Sequence, residues 1–383
     1  MNENISLGRI AGIHIGFNWS LLVVVALIAW SLAAGFFPVE VPGRAVGWYW
    51  LAGAVAAVVF LASLLAHELA HSVVAQRSGV RVDGITLWLF GGVSRLSGEV
   101  NSARTEALIT AVGPLTSFVL GGVFLLLGLG LSAGHAPGLL SVTLNWLGTI
   151  NLLLAAFNLI PAAPLDGGRI LRAVVWARTG DRFRATRVAS RAGLAFGIIL
   201  IAYGLFTFAA TGNVIGGVWA VFLGWFLLSA ARAEETSGLI RQALVGVTVG
   251  DVMTPRPIHV PDDLSVEDLL HRFILGYRHS TFPTQGGDGR LTGLVTIAAV
   301  KNVSAEARPA TRVHEIACPP DQVPSAAPGE LLTTLLERLG GGCGEGRALV
   351  LQDGQLVGLV SPRDISRALQ HSSLGRTGSR LQV

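Results

Sequence analysis

Six apolar stretches dominate this sequence, and each is long enough to cross a lipid bilayer. A membrane-spanning helix needs about 20 predominantly apolar residues, and in lipid every backbone polar group must be bonded within the protein. Hydrophobic residues make up 51% of the 383 residues and charged residues only 14%, whereas soluble domains carry about a quarter charged residues. A purely soluble enzyme is therefore excluded. Membrane helices are predicted at 19–39, 48–66, 108–131, 139–160, 192–210 and 214–231.

Basic residues alternate sharply between the segments that connect these stretches. Arg9 precedes the first stretch, arginines between 77 and 104 follow the second, others between 169 and 191 follow the fourth, and Arg232 follows the sixth. In the other connecting segments the only arginine or lysine is Arg44. Because basic loops remain in the cytoplasm, we predict a multi-pass cell-membrane protein with both termini cytoplasmic. The sequence pI of 9.7 is then explained by the basic loops that keep their side of the membrane, and we expect no nucleic acid partner.

A metal-binding motif lies at the end of the second stretch: His67-Glu68-Leu-Ala-His71. Residues four apart share one face of a helix, so both imidazoles can bind one ion with Glu68 beside them. For this composition about 0.007 chance matches to H-E-x-x-H are expected. Ionisable residues within a span usually mark function. The alternative is a polar helix end that meets water.

A catalytic zinc site normally has three protein ligands, so a third ligand must come from elsewhere. The best candidate is Asp166, in the run Asn158-Leu-Ile-Pro-Ala-Ala-Pro-Leu-Asp-Gly-Gly-Arg169. The prolines break the fourth stretch, and the two glycines free the backbone beyond it. The second and fourth stretches run in the same direction, so we expect Asp166 and His71 at similar depth. Taken alone, Asp-Gly-Gly after a span is more often a turn.

These residues resemble the two signatures of the site-2 protease family of intramembrane zinc metalloproteases, H-E-x-x-H and N-x-x-P-x-x-P-x-D-G. The resemblance covers about residues 7–232. It implies one Zn²⁺ per chain held by His67, His71 and Asp166, with Glu68 as the general base. Asn158 matches the family's Asn, which steadies the substrate or its oxyanion; the alternative for Asn158 is an interhelical hydrogen bond.

Two shorter elements resemble the same family with less force. Residues 88–93, Trp-Leu-Phe-Gly-Gly-Val, resemble a membrane-dipping hairpin that offers an edge to an extended substrate; the alternative is an amphiphilic surface loop. Residues 113–117, Gly-Pro-Leu-Thr-Ser, resemble a Gly-Pro motif of the third span, but Ser117 stands where Asn is common. From the sequence, helix packing is the safer role for this segment.

Beyond Arg232 the pattern changes to short apolar runs that repeat with a period of about 63 residues, which indicates a tandem duplication. Residues 249–254 and 312–317 open the two units, and residues 291–296 and 356–361 close them. Each unit resembles a cystathionine β-synthase (CBS) domain. The predicted fold is an α-helical polytopic membrane domain with six spans (1–232), a linker (233–246) and a soluble α/β tandem CBS module (247–371, as 247–304 and 310–371). A disordered tail (372–383) follows.

Ser361 and Asp364 are candidates for contacts to an adenosine ribose. In CBS pairs the last strand is often followed by Ser or Thr and, three residues on, by Asp. The first unit reads Thr296-Ile-Ala-Ala299 and lacks the carboxylate. At most one complete site for an adenine nucleotide is therefore expected, with Ser361 as a helix cap as the alternative. The CBS resemblance also suggests a homodimer formed through the helices of the pair.

Cys318 and Cys343 are the only two cysteines. Two thiols give neither a disulfide framework nor the spacing of a zinc site. Because disulfides are rare in the cytosol, two unpaired thiols are expected.

The leading interpretation is an intramembrane zinc endopeptidase that cleaves a membrane-spanning substrate near the cytoplasmic leaflet. The family suggests regulated intramembrane proteolysis of an anti-sigma factor or a membrane-bound transcription factor precursor, with the CBS pair sensing a nucleotide or docking a partner. A CBS-gated transporter or channel is the alternative, although transporters commonly repeat their spans and these six stretches show no such repeat. A catalytically idle scaffold is disfavoured by the complete motif set.

Overall fold

Among the residues that the structure describes, six helices are long and apolar enough to cross a membrane, which confirms the six predicted spans. The computed structural model describes residues 5–88, 91–97, 100, 102–133, 138–277, 279–340 and 342–378. By its contacts the chain divides into two units, Met1–Gly238 and Leu239–Val383. The helices of the first unit are α1 Ser20–Ser31, α2 Phe37–Glu40, α3 Val46–Arg77, α4 Ala103–Ser132, α5 Leu139–Asn158, α6 Asp166–Thr179, α7 Arg182–Thr211 and α8 Val214–Ala243.

The spanning helices expose apolar side chains as helices in contact with lipid do. Leu126 and Ile215, for example, are 71% and 85% exposed. The first span consists of α1 and α2 joined by a π-helical turn at Leu32–Phe36. The sixth helix in chain order, α6, is a short polar helix and is not one of the spans.

Helix α3 extends well past the predicted end of the second span at residue 66. Its 32 residues give a length of about 48 Å, so the H-E-x-x-H motif lies within continuous helix. Two faces of α3 meet different partners. Leu61, Leu65, Leu69 and Val73, four residues apart, pack against a small sheet, whereas His67 and His71 lie on another face.

The small sheet has four strands in the order β1-β2-β3-β4. Their bounds are β1 Ile5–Ile10, β2 Ile13–Phe17, β3 Arg81–Trp88 and β4 Gly91–Ser97. Strands β2 and β3 pair in parallel, and the pairs β1–β2 and β3–β4 are antiparallel. Ile13 of β2 and Ile85 and Leu87 of β3 are buried in one cluster with these side chains of α3. The sequence predicted only the hairpin near 88–93, of which Leu89 and Phe90 lie outside the described residues.

Glycines allow the last two spanning helices to approach closely. A Cβ on Gly204 of α7 would lie 2.6 Å from the Gly217 carbonyl oxygen of α8. One on Gly224 of α8 would lie 2.7 Å from the Gly197 carbonyl oxygen of α7. Small residues at such contacts let van der Waals packing drive the association of membrane helices.

The second unit contains two small sheets, ordered β5-β11-β10-β9 and β6-β7-β8. Its strands are β5 Thr254–Pro255, β6 Val260–Pro261, β7 Thr281–Gln285, β8 Leu291–Thr296, β9 Ser325–Ala326, β10 Ala348–Gln352 and β11 Gln355–Val360. Its helices are α9 Val249–Val252, α10 Val266–Asp268, α11 Leu275–Tyr277, α12 Ile297–Lys301, α13 Val313–Ile316, α14 Leu332–Arg338 and α15 Pro362–Gly378, with a π-helical turn at Leu269–Ile274 and a 3₁₀ turn at Pro320–Gln322.

The two repeats of this unit exchange their opening segments. Thr254, at the start of the first repeat, pairs with Leu359 in the closing strand of the second. Cys318, near the start of the second repeat, pairs with Leu294 in the closing strand of the first. Equivalent positions thus make equivalent contacts, and Leu294, Cys318, Leu349 and Leu359 share one buried cluster. The two repeats therefore fold as one module.

Three expectations for the C-terminal half differ from the structure. Cys318 and Cys343 form a disulfide with a Cα–Cα distance of 5.5 Å, because folding brings the start of the second repeat beside a glycine-rich loop that follows 25 residues later. Most of the predicted linker continues α8 to Ala243, and the predicted tail is helical to Gly378. Once a helix is nucleated, each further residue gains a hydrogen bond. Residues 379–383 lie outside the described part of the chain.

The close packing of α7 on α8 predicts that a Gly-to-Ala substitution in this contact destabilises the protein. Gly204→Ala should destabilise the protein by roughly 1–3 kcal/mol through overpacking. Gly122→Ala on α4 is the matched control, since its Cβ meets nothing within 4 Å, and it should be neutral or slightly stabilising. Thermal unfolding in detergent measures both variants. Equal stability of Gly204→Ala and wild type would contradict this account of the helix contact.

Candidate metal centre

Three side chains that are far apart in sequence converge on one point. The Nε2 atoms of His67 and His71 lie 3.2 Å apart. Oδ2 of Asp166 lies 3.2 Å from Nε2 of His67 and 3.2 Å from Nε2 of His71. Zinc ligands at about 2.0–2.1 Å in tetrahedral geometry are roughly 3.3 Å apart. This triangle of two imidazole nitrogens and one carboxylate oxygen therefore fits a zinc ion.

The three candidate ligands are well shielded from solvent. Side-chain exposure is 3% for His67, 13% for His71 and 14% for Asp166. Burying a carboxylate is costly unless it is paired or binds a metal. The arrangement thus has the composition and the burial expected of a metal centre.

Helix α4 orients both imidazoles through their other ring nitrogens. Nδ1 of His71 donates to the Ile109 carbonyl oxygen over 2.6 Å, and Nδ1 of His67 lies 2.9 Å from Oγ of Ser117. Metal-binding histidines are commonly fixed in this way, which leaves Nε2 free to bind the metal. The role of helix packing predicted for residues 113–117 was incomplete, because Ser117 contacts a candidate ligand directly.

Gly113 leaves the space in which the two rings meet. It lies between Ile109 and Ser117 at spacings of four, so the three residues share one face of α4. A Cβ at Gly113 would overlap the His71 ring and lie 2.8 Å from Nε2 of His67. The Gly-Pro motif therefore acts at the metal centre itself.

Glu68 lies beside the metal centre and below strand β4. A Cβ on Gly92 would collide with Cγ of Glu68 and lie 2.6 Å from its Cδ. Gly92 thus lets β4 cross directly over the carboxyl group of Glu68. Gly92 of the predicted hairpin therefore allows an extended strand to approach the candidate general base.

Asp166 lies at the start of α6, shortly after the end of the fourth span. Helix α5 ends at Asn158, and α6 begins at Asp166. Cβ atoms on Gly167 and Gly168 would collide with backbone atoms of residues 159–163. These glycines therefore allow the start of α6 to pack on the proline-containing turn, which places the Asp166 carboxyl group opposite the histidines.

Asn158 is half buried at the end of α5, and its Nδ2 donates to the Leu154 carbonyl oxygen over 3.0 Å. Its role toward a substrate stays a prediction.

In the second unit, Oδ2 of Asp364 accepts from the backbone nitrogen of Ser361 over 2.9 Å and from its Oγ over 2.6 Å. Oγ1 of Thr254 lies 3.2 Å from Oδ1 of Asp364. Ser361 and Asp364 thus contact each other, Asp364 also contacts Thr254, and the role of the pair toward a nucleotide stays a prediction.

Known proteins resemble this chain over nearly its whole length. The model of peptidase family M50 matches residues 55–137 and 133–200, and the CBS domain model matches residues 249–306. A Mycobacterium tuberculosis (strain H37Rv) protein named as a zinc metalloprotease, Rip3, is 46% identical over 369 residues, covering 96% of this chain and 93% of the relative. The chain belongs to peptidase family M50. It is a zinc metalloprotease of the site-2 protease type with CBS sequence in its second unit.

Two further proteins are similar to this chain. A Synechocystis (strain PCC 6803) protein, also named as a zinc metalloprotease, is 31% identical and covers 97% of both chains. The solved site-2 protease of Methanocaldococcus jannaschii is 29% identical and covers 60% of this chain and 94% of its own, with a TM-score of 0.41. Membership of family M50 implies zinc, which the donor set fits. It also decides against the transporter or channel alternative.

The position of Gly113 predicts that Gly113→Ala removes bound zinc. The added methyl group would displace both imidazole rings, so the zinc content of the purified full-length protein should fall to a small fraction of that of wild type. Gly130→Ala on the same helix is the control, because its Cβ meets nothing within 4 Å. Metal content by mass spectrometry tests this, and a Gly113→Ala protein with full zinc would contradict the close contact of α4 with the histidine rings.

Proposed function

We propose that this M50 protease is an intramembrane endopeptidase that cleaves a membrane-spanning protein near the cytoplasmic leaflet. The observation that carries the proposal is the mutual 3.2 Å spacing of the His67, His71 and Asp166 donor atoms, with Glu68 next to His67 in the chain. The first two residues belong to a spanning helix and the third follows another span. A peptide bond cleaved at this site would lie in or beside the bilayer.

Zinc held by these residues would supply a Lewis acid that polarises the scissile carbonyl group and activates water for attack. Glu68 accepts a proton from the attacking water and then donates it to the leaving amine. Ile109 and Ser117 keep the imidazoles oriented through their Nδ1 atoms. Asn158 steadies the substrate or its oxyanion once its amide turns from its own helix.

Strand β4 offers a place for the substrate to bind in an extended form. It is the terminal strand of the sheet and pairs with β3. A peptide bond within a helix is shielded by its own hydrogen bonding, so the substrate must unwind before cleavage. Pairing with β4, which crosses Glu68 at Gly92, would hold an unwound segment beside the general base.

The proposed orientation places both termini in the cytoplasm. Arg77 ends α3, while Arg172 lies in α6 and contacts Glu106 near the start of α4 and Glu234 near the end of α8. These ends of the spans therefore lie on one side of the membrane. Because arginines concentrate there, the positive-inside rule assigns that side to the cytoplasm.

The general-base role predicts that Glu68→Gln retains zinc and loses about 10²–10⁴-fold in cleavage rate. Glutamine keeps the shape of the side chain but cannot accept the proton. The exposed Glu40, at the end of the first span, provides a matched control as Glu40→Gln, which should cleave normally. The measurement is cleavage of a membrane-spanning substrate in proteoliposomes beside the zinc content of each variant.

Full activity of Glu68→Gln would remove Glu68 from the role of base. The same variant identifies the substrate, since uncleaved protein should accumulate in cells that carry it. We propose an anti-sigma factor or the precursor of a membrane-bound transcription factor as the substrate, consistent with regulated intramembrane proteolysis.

We also propose that the second unit regulates cleavage by binding an adenine nucleotide at Ser361 and Asp364, or by docking a partner. Support comes from the contact of the Asp364 carboxylate with Ser361 and from its burial at 7% exposure. The first repeat lacks the equivalent carboxylate, so one site per chain is expected. Association of two such modules through their helices would give a homodimer.

The nucleotide site predicts that Asp364→Asn weakens binding of ATP or AMP by at least tenfold, which corresponds to about 1.4 kcal/mol. The carboxylate would accept hydrogen bonds from the ribose hydroxyl groups, and an amide does so less well. Asp321→Asn, at an exposed position in the same unit, is the control. Titration of full-length protein with each nucleotide measures the affinities. Equal affinity of Asp364→Asn and wild type, or no binding by wild type, would contradict the assignment.

A further inference from the structure

An ion network joins three helices near the metal centre. On α6, Arg172 donates from Nε to Oε1 of Glu106 over 2.6 Å and from Nη1 to Oε1 of Glu234 over 2.9 Å. Nη2 of Arg172 also contacts Glu106. The carboxylates come from α4 and α8, so one guanidinium holds three helices together.

The network is largely withdrawn from solvent. Side-chain exposure is 4% for Glu106, 18% for Arg172 and 25% for Glu234. Within the described part of the chain, Oε2 of Glu106 has no hydrogen-bond partner. The buried charge of Glu106 therefore depends on Arg172, since a buried carboxylate without a partner is strongly unfavourable.

Glu106 lies on the part of α4 that orients the candidate ligands. It precedes Ile109 by three residues, which places the two on the same face of the helix, and Ile109 accepts the hydrogen bond from His71. The carboxylate that holds Arg172 is thus one turn from the carbonyl group that holds a histidine. A shift of α6 against α4 would alter both contacts.

Asp166 is the first residue of the helix that carries Arg172. Six residues separate them, or about 9 Å along the axis at 1.5 Å per residue. The start of α6 packs through Gly167 and Gly168 on the preceding turn. Arg172 supplies a second, electrostatic attachment farther along the same helix, so the position of α6 is fixed at two points.

We propose that Arg172 is a positioning residue that, through Glu106 and Glu234, sets the distance of Asp166 from the histidine pair. This inference rests on the proposed zinc ligands. Through Glu234 the network also includes α8, the helix that leads into the second unit. The network acts on the metal centre without contacting the metal.

The test compares the zinc affinity of variants of the full-length protein in detergent. Arg172→Gln alone would leave Glu106 buried and unpaired, so Arg172→Gln is combined with Glu106→Gln, which removes both charges. Zinc affinity, measured by competition with a chelator, should fall about 10–100-fold, the range seen when groups that orient metal ligands are lost. Arg178→Gln, an exposed arginine on the same helix, is the control and should bind zinc as wild type does.

Arg172→Lys provides a second measurement that does not depend on folding of the double variant. It keeps the charge but loses the planar fork that bridges two carboxylates, so zinc affinity should fall by an intermediate amount while Arg178→Gln is unchanged. Wild-type zinc affinity in Arg172→Lys, or in the folded double variant, would overturn the positioning role. Absence of zinc from wild type would instead contradict the proposed function.

Discussion

The first unit depends on the contact of α4 with the two histidines of α3. One helix face supplies the Ile109 carbonyl group, the Ser117 hydroxyl group and the space left by Gly113. Without these, two imidazoles on a spanning helix could adopt several rotamers and tautomers. With them, both Nε2 atoms point to the same place, where Asp166 completes the set of donors. Burial favours this one arrangement of the side chains, because other arrangements would leave polar groups without partners where water cannot reach them.

The architecture around the metal centre could largely be predicted from the sequence, because membrane helices differ clearly in composition from soluble segments. Long apolar stretches and a motif with a four-residue spacing leave few options for His67 and His71. Asp166 could be predicted from the resemblance and from the shared direction of the second and fourth spans. Its position depends on packing of Gly167 and Gly168 that no local pattern specifies.

Other parts of the site could not be predicted for physical reasons. The Ile109 carbonyl group is a backbone acceptor that any residue would offer, so no residue type marks it. Ser117 could be recognised as a polar residue four positions after Gly113 on one face of α4. The sequence does not show which residues lie opposite that face. Strand β2 is short and pairs with β3, a segment 70 residues away, and such distant pairing leaves little local trace. The disulfide of Cys318 with Cys343 likewise results from tertiary proximity within a duplicated module.

The central claim is that His67, His71 and Asp166 hold one zinc ion in this protein. X-ray absorption spectroscopy of the purified full-length chain tests it most directly, because the method reports the type and distance of atoms bound to the metal. The account predicts one zinc per chain, bound only by nitrogen and oxygen at about 2.0–2.1 Å. Sulfur ligands at about 2.3 Å would place the metal at the cysteines instead and contradict the account.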